Sequence, residues 1–202
     1  MTIDDIMNAA PVIPVLVLEG DQDWAALAET FVAAGLPVLE VTLRTPTALP
    51  AIRAMSKVDG AIVGAGTVLN ETQLGEAIDA GCQFTVSPGL TEPLGKAAIA
   101  SGTAFLPGIA TSGDLMRGFE LGLRRFKFFP AEASGGIPAL KALSAPFGEA
   151  RFCPTGGIRP ETAADWLAVP SVICVGGSWF LKPGEFNLDE VSKRARAAAA
   201  LR

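Results

Sequence analysis

The 202-residue chain has no histidine and no tyrosine. The first absence removes Ser-His-Asp and Cys-His catalysis and every histidine-ligated metal site. Any proton transfer must then fall to a carboxylate, a lysine, a cysteine or water. Cysteine is scarce: Cys82, Cys153 and Cys174 are odd in number, far apart, and match no metal-binding spacing. They point to a reduced compartment, and a cytoplasmic location is expected. There is no excess of basic charge. The net charge is -5 and the pI about 4.8, which argues against a nucleic-acid partner. No apolar run approaches a membrane span, and Met1 to Ala10 carries Asp4 and Asp5 but no basic stretch of the kind that opens a signal peptide. That segment is expected to form a short helix covering one end of the fold. Half the residues are hydrophobic and 18% are charged. Such a chain folds, and its length suits one substantial core, taken as one domain over residues 1–202.

Apolar, β-rich runs alternate with amphipathic stretches from end to end. Strands are predicted over residues 12–18, 37–43, 61–67, 84–88, 104–109, 125–130, 151–155 and 172–176. Helices are predicted over 24–34, 47–56, 71–80, 92–100, 112–121, 137–143, 161–168 and 188–201. Gly35, Gly81, Gly102 and Gly122 stand where helices commonly terminate. The unit recurs about every two dozen residues, as a repeat architecture does. Eight strand–helix units predict an α/β protein with a single (β/α)8 TIM barrel and a short N-terminal helix. A doubly wound open sheet is the alternative, but it would place a glycine-rich loop after the first strand, where residues 16–21 hold one glycine. In a barrel, functional groups gather at the C-terminal strand ends.

The stretch Arg125-Phe126-Lys127-Phe128-Phe129-Pro130 places one lysine among phenylalanines. Neighbours in a strand face opposite ways, so Lys127 shares a face with Phe129, and Phe126 with Phe128. Desolvation favours a neutral amine, and a neutral lysine can form a Schiff base with a ketone or aldehyde. The plain alternative is a snorkelling or ion-paired lysine. In the second strand Leu39, Val41 and Leu43 share one face, and Val38, Glu40, Thr42 and Arg44 the other. An inward Glu40 is costly unless paired or functional. Glu40 and Arg44 are separated by about 13 Å of extended chain, so each is expected to serve another group. Glu40 is then a partner or base for Lys127, and Arg44 a clamp for a carboxylate or phosphate.

Thr67 offers a hydroxyl at the end of the third strand, beyond Gly64 and Gly66, and Pro88 ends the fourth and shapes the rim. The seventh strand ends Pro154-Thr155-Gly156-Gly157 and the eighth Gly176-Gly177-Ser178. Paired glycines expose backbone N–H groups, and barrels often bind phosphate in the loops after these two strands. Two such pairs at consecutive strand ends imply a phosphorylated small-molecule ligand.

With those residues in hand, the chain resembles the 2-keto-3-deoxy-6-phosphogluconate (KDPG) aldolases. The likeness rests on the runs Gly35–Arg44, Val63–Thr67, Val86–Thr91, Phe126–Glu132, Pro154–Ile158 and Gly176–Trp179, and covers almost the whole chain. The resemblance implies a (β/α)8 barrel, a homotrimer, and class I aldolase chemistry with no metal or other cofactor. It implies Lys127 as the Schiff-base lysine and Glu40 as the proton-transferring base. Arg44 and Thr67 would hold the pyruvate carboxylate, Pro88 and Phe129 would shape the pocket, and Gly156, Gly157, Gly177 and Ser178 would bind phosphate. Thr155 lies where the family reads substrate stereochemistry, and threonine there favours the gluconate over the galactonate epimer. Two alternatives stay open: the same imine chemistry on 4-hydroxy-2-oxoglutarate or the galactonate epimer, and a non-catalytic phosphosugar-binding barrel.

Overall fold

The computed structural model describes residues 1–181, 184 and 186–201. After α1 (Ile3–Asn8), strands and helices alternate: β1 (Val12–Leu16), α2 (Trp24–Ala33), β2 (Val38–Thr42), α3 (Ala48–Met55), β3 (Ile62–Gly66), α4 (Glu71–Asp79), β4 (Phe84–Val86) and α5 (Glu92–Ser101). Then follow β5 (Ala104–Leu106), β6 (Gly108–Ile109), α6 (Ser112–Glu120), β7 (Arg125–Phe128), α7 (Gly136–Ser144), β8 (Arg151–Pro154), α8 (Pro160–Leu167), β9 (Val175–Gly177) and α9 (Leu188–Ala199). Side-chain oxygens of Asp23, Asn70, Thr91, Thr111 and Asn187 accept from the first-turn amides of the helices they precede. These caps satisfy N–H groups that a helix start leaves without partners.

Among the described residues every strand pairing is parallel. The order is β5-β4-β3-β2-β1-β9 in a six-stranded sheet and β6-β7-β8 in a three-stranded one. The run expected as one strand over 104–109 is interrupted at Pro107, which lacks an N–H to continue a ladder. β5 therefore pairs with β4, and β6 with β7. Single parallel bridges, Phe152–Val172 and Thr155–Gly176, join β8 to the chain entering and forming β9. The last strand is also shorter and later than the run expected over 172–176, with Val172 joined to β8 by a single bridge outside the strand.

Two apolar layers follow from strand alternation. Leu39, Val41, Phe126, Phe128 and Phe152 pack in the large cluster with helix residues such as Phe31, Ile52 and Trp166. Ile13, Val38, Phe84, Val86, Leu106, Cys153 and Cys174 form a second cluster, which Ile6 and Met7 of α1 close. Both side chains are fully buried, and burying each contributes about 1.5–3 kcal/mol. Asp4 and Arg125, 2.5 Å apart, tie α1 to the start of β7. The second cluster thus fills one end of the strand interior with apolar groups and confines polar ones to the other.

The cap of α6 gives a stability prediction. Burial pushes the Asp114 carboxyl up, but the Ala110 and Thr111 amides, the Thr111 hydroxyl and Arg117 outweigh it and hold it below its ordinary value of 3.8. A depressed carboxylate contributes stability that is present above its unfolded pKa and lost as pH falls through its folded one. Asp114→Ala should lower stability at neutral pH by about 1 kcal/mol. It should also flatten the acid limb of the stability curve below the ordinary value of 3.8. Urea titrations across pH read both effects, and parallel acid limbs in the two proteins would refute the second.

Candidate functional site

The polar end of the interior is built around Lys127 in β7. Phe126 and Phe128 are buried on the helix-facing side, with Phe126 stacked on Phe119 at 6.2 Å and Phe128 near Trp166 at 6.3 Å. Their anchoring turns Lys127 inward. Its Nζ donates to Oε1 of Glu40 at 2.8 Å, and the two side chains are 7% and 4% exposed. The contact joins residues 87 positions apart. Nζ also stands 5.5 Å from the centre of the Phe129 ring. A charge-assisted pair this dry is held by geometry that both groups share, and removal of either charge leaves the other without compensation.

Glu40 pairs with Gly64 across the β2–β3 ladder, and its carboxylate has room because it lies over Gly66, the partner of Thr42 two residues further on; a Cβ built at Gly66 would collide with the carboxylate. Gly64 gives the same clearance to the Phe84 ring. These two glycines thus admit side chains of neighbouring strands rather than a ligand. Gly66→Ala should displace Glu40 and lower turnover at least tenfold, about 1.4 kcal/mol in barrier, whereas Gly75→Ala, in an exposed helical position with open space around it, should raise stability by about 0.5–1 kcal/mol. Steady-state rates and melting curves of the pair separate the two effects. Wild-type turnover in Gly66→Ala would show that Glu40 needs no such clearance.

Beyond Glu40 the strand end carries Arg44, which is exposed and donates from Nε to Oγ1 of Thr67 at 3.3 Å. Thr67 is half-buried and adopts φ of 60°, the only non-glycine with positive φ among the described residues. For a β-branched residue that conformation costs about 1–3 kcal/mol, and such strain concentrates at functional sites. Pro88 is half-buried at the rim, and its backbone crowds Gly108, the residue paired with Lys127. Thr155 is buried, its amide donates to the Phe128 carbonyl at 2.9 Å, and Gly176 makes space for its side chain. Lys127, Glu40, Phe129, Thr155 and the Arg44–Thr67 pair therefore converge at one end of the strands.

The expected phosphate residues divide. Gly156 and Gly157 have φ of 101° and 81°, a backbone that L side chains rarely adopt. Gly156 lies against Phe129 and Pro130, and Gly157 against Glu132. The Thr155–Gly176 bridge places this turn beside the end of β9. Gly177 is buried, and the Trp179 ring takes the space a side chain would need. Ser178 is exposed and lines a cavity of about 370 Å³ with Val15, Leu18, Trp24, Leu181 and Phe186. Thr42, whose hydroxyl donates to the Leu16 carbonyl at 3.0 Å, was legible only as a face-mate of Glu40. Glu132 and Trp166, joined by a 3.0 Å hydrogen bond across 34 residues, gave no sequence signal of their meeting.

Among the described residues no cluster of three His, Cys, Asp or Glu groups is placed to hold a metal ion, and no helix is long and apolar enough to cross a membrane. Burial pushes the Cys82 thiol up to about 11, against a lesser pull from the Ala65 backbone, which keeps it a thiol at neutral pH.

Comparison with known proteins bears on this geometry. A model of the KDPG and KHG aldolase family matches residues 3–195. The 2-dehydro-3-deoxy-phosphogluconate aldolase of Zymomonas mobilis is 54% identical over 200 residues, covering 99% of this chain and 96% of its own. The crystal structure of the 2-keto-3-deoxy-6-phosphogluconate aldolase of Zymomonas mobilis ZM4 with 3-phosphoglycerate superposes with a TM-score of 0.97 at 55% identity, over 99% of this chain and 96% of that one. The KDPG aldolase of Legionella pneumophila, with pyruvate captured at low pH as a covalent carbinolamine intermediate, has a TM-score of 0.94 at 40% identity and 99% coverage of both chains.

Proposed function

Because this chain belongs to the KDPG and KHG aldolase family, we propose that it is a class I aldolase that reversibly cleaves 2-dehydro-3-deoxy-6-phospho-D-gluconate to pyruvate and D-glyceraldehyde 3-phosphate. The observation that carries the reading is the buried Lys127–Glu40 contact of 2.8 Å. A protonated lysine must give up a proton before its nitrogen can attack a ketone, and here a carboxylate able to take that proton is already in contact.

The amine of Lys127 adds to the C2 ketone, and the carbinolamine loses water to give an iminium. Glu40 takes the C4 hydroxyl proton through a water molecule. The C3–C4 bond then breaks, its electron pair flows into the iminium to leave a neutral enamine on Lys127, and the aldehyde departs. Glu40 returns a proton to C3, and water hydrolyses the iminium to release pyruvate and regenerate the amine. The iminium is an electron sink made from protein and substrate alone. In the low-dielectric interior, fixed charges act strongly and need no reorganisation.

The remaining residues hold the two ends of the substrate. Arg44 and Thr67 bind the carboxylate of the pyruvate half, supported by their mutual hydrogen bond of 3.3 Å. Pro88 and Phe129 shape the walls, and Thr155 discriminates the gluconate configuration. Gly156, Gly157, Gly177 and Ser178 receive the phosphate, the three glycines through their backbone N–H groups.

The architecture fits a closed (β/α)8 barrel forming one domain over residues 1–202. Pro107 divides one strand into two, and β5 and β6 then join the two sheets on one side as the Thr155–Gly176 bridge does on the other. A homotrimer in the cytoplasm completes the reading, and sedimentation tests the assembly.

Borohydride reduction in the presence of pyruvate, followed by peptide mass mapping, tests the chemistry. An adduct on Lys127 is expected; a folded protein with no adduct would defeat the aldolase reading and favour a phosphosugar-binding barrel. Side-by-side kinetics on the gluconate, its galactonate epimer and 4-hydroxy-2-oxoglutarate test substrate choice, with the phosphorylated gluconate expected to have the highest kcat/KM.

A further inference from the structure

Glu132 lies just beyond β7, two residues past the cis-linked Pro130. Its backbone N–H donates to the Gly156 carbonyl at 3.1 Å, and that of Ala131 to the Thr155 carbonyl at 2.8 Å. Its side-chain stem fills the space beside Gly157; a Cβ there would come within 2.7 Å of Glu132 Cβ and Cγ. The carboxylate is fixed at its far end, where Oε1 accepts from Nε1 of Trp166 at 3.0 Å. Trp166 is 1% exposed in α8, the helix that follows the glycine turn, and packs near Phe128. The other carboxylate oxygen lies 3.6 Å from where a Cβ on Gly136 would stand, next to the first turn of α7, and a helix N-terminus favours negative charge.

Glu132 thus ties three elements together: the strand bearing Lys127, the Gly156–Gly157 turn, and the helix that leaves that turn. We infer that Glu132 is a positioning residue for the phosphate end of the site, setting the distance between the glycine amides and the Lys127 amine through its hold on Gly157 and Trp166. The inference rests on the aldolase reading above. Glu132 stands behind the turn and does not touch substrate. Its negative charge opposes that of a phosphate, so its contribution is geometric. A neutral side chain of the same shape, still able to accept from Trp166, should serve.

The test compares Glu132→Ala, Glu132→Gln and Trp166→Phe in the full-length enzyme. Loss of one such hydrogen bond and the packing with it should raise KM for the phosphorylated substrate about tenfold in Glu132→Ala. The kcat and the rate of borohydride trapping with pyruvate, which has no phosphate, should stay near wild type. Glu132→Gln should recover most of the KM. Trp166→Phe keeps a ring in the core and should reproduce the KM defect, with the double variant adding little because both act through one contact. Trapping that falls in parallel with KDPG cleavage, or a wild-type KM in Glu132→Ala and Trp166→Phe, would overturn the inference and leave the aldolase reading intact. Failure of the wild-type enzyme to trap pyruvate would overturn both.

Discussion

Replacing Lys127 with alanine is expected to abolish aldol cleavage and the borohydride-trapped pyruvate adduct together. Among the described residues the other lysines, Lys57, Lys96, Lys141 and Lys193, are all exposed, so none can present an amine to Glu40. The same substitution should also weaken the fold, because Glu40, whose side chain is 4% exposed in the native protein, loses its ion-pair partner. Breaking a buried pair from one side costs about 3–5 kcal/mol, whereas removing both charges is far better tolerated. Lys127→Met combined with Glu40→Gln should therefore regain much of the stability lost by Lys127→Ala while staying inactive. Urea titrations alongside trapping assays read the two effects separately. Activity surviving in Lys127→Ala would remove the imine from the mechanism; a double variant as unstable as the single would show that the pair is not the source of the loss.

The expected recovery has a structural meaning. β2 buries Val38 in the apolar plug with Ile13, Phe84 and Val86 and carries Glu40 only two residues further on, where Lys127 of β7 meets it. A chain selected for stability alone would continue the apolar pattern. The strained Thr67 backbone, with φ of 60°, is a second place where the same end of the fold departs from the lowest-energy local choice.

Much of this arrangement was legible because strand alternation has a period of two. Lys127 between Phe126 and Phe128, and Glu40 between Leu39 and Val41, announce by their neighbours that they face the other way. Alternation assigns faces but not partners across the sheet, so the Lys127–Glu40 contact was one expectation among several until the strands were placed. The break at Pro107 was readable in principle, since proline cannot donate to a ladder, but the apolar run across 104–109 masked it. The glycines were legible as glycines and not by role. Gly64 and Gly66 sit in a strand where close approach of a ligand and clearance for Phe84 and Glu40 look the same from sequence. Gly177 likewise gives its space to Trp179. Glu132 and Trp166 were beyond reach, because their meeting depends on how α8 packs against the exit of β7, and no local period encodes that.

Replacing Glu40 with glutamine should lower turnover by about 10²–10⁴-fold, the range that a positioned acid–base group contributes. Glutamine keeps the size of the side chain and an oxygen able to accept from Lys127 Nζ, which stands 2.8 Å from Oε1 in the native protein. The geometry should survive, and the loss should fall on proton transfer. Glu40 serves two proton transfers in the proposed cycle, at the C4 hydroxyl during cleavage and at C3 of the enamine afterwards. The second is observable without any cleavage, as exchange of pyruvate methyl protons with deuterated water. Glu40→Gln should therefore lose cleavage and exchange in parallel, while borohydride still traps pyruvate on Lys127, more slowly. Exchange at the wild-type rate with cleavage lost would assign the enamine proton to another group, with water the first candidate because no histidine or tyrosine exists in the chain. Wild-type rates in both assays would remove Glu40 from the chemistry and leave it as the structural partner of Lys127 alone.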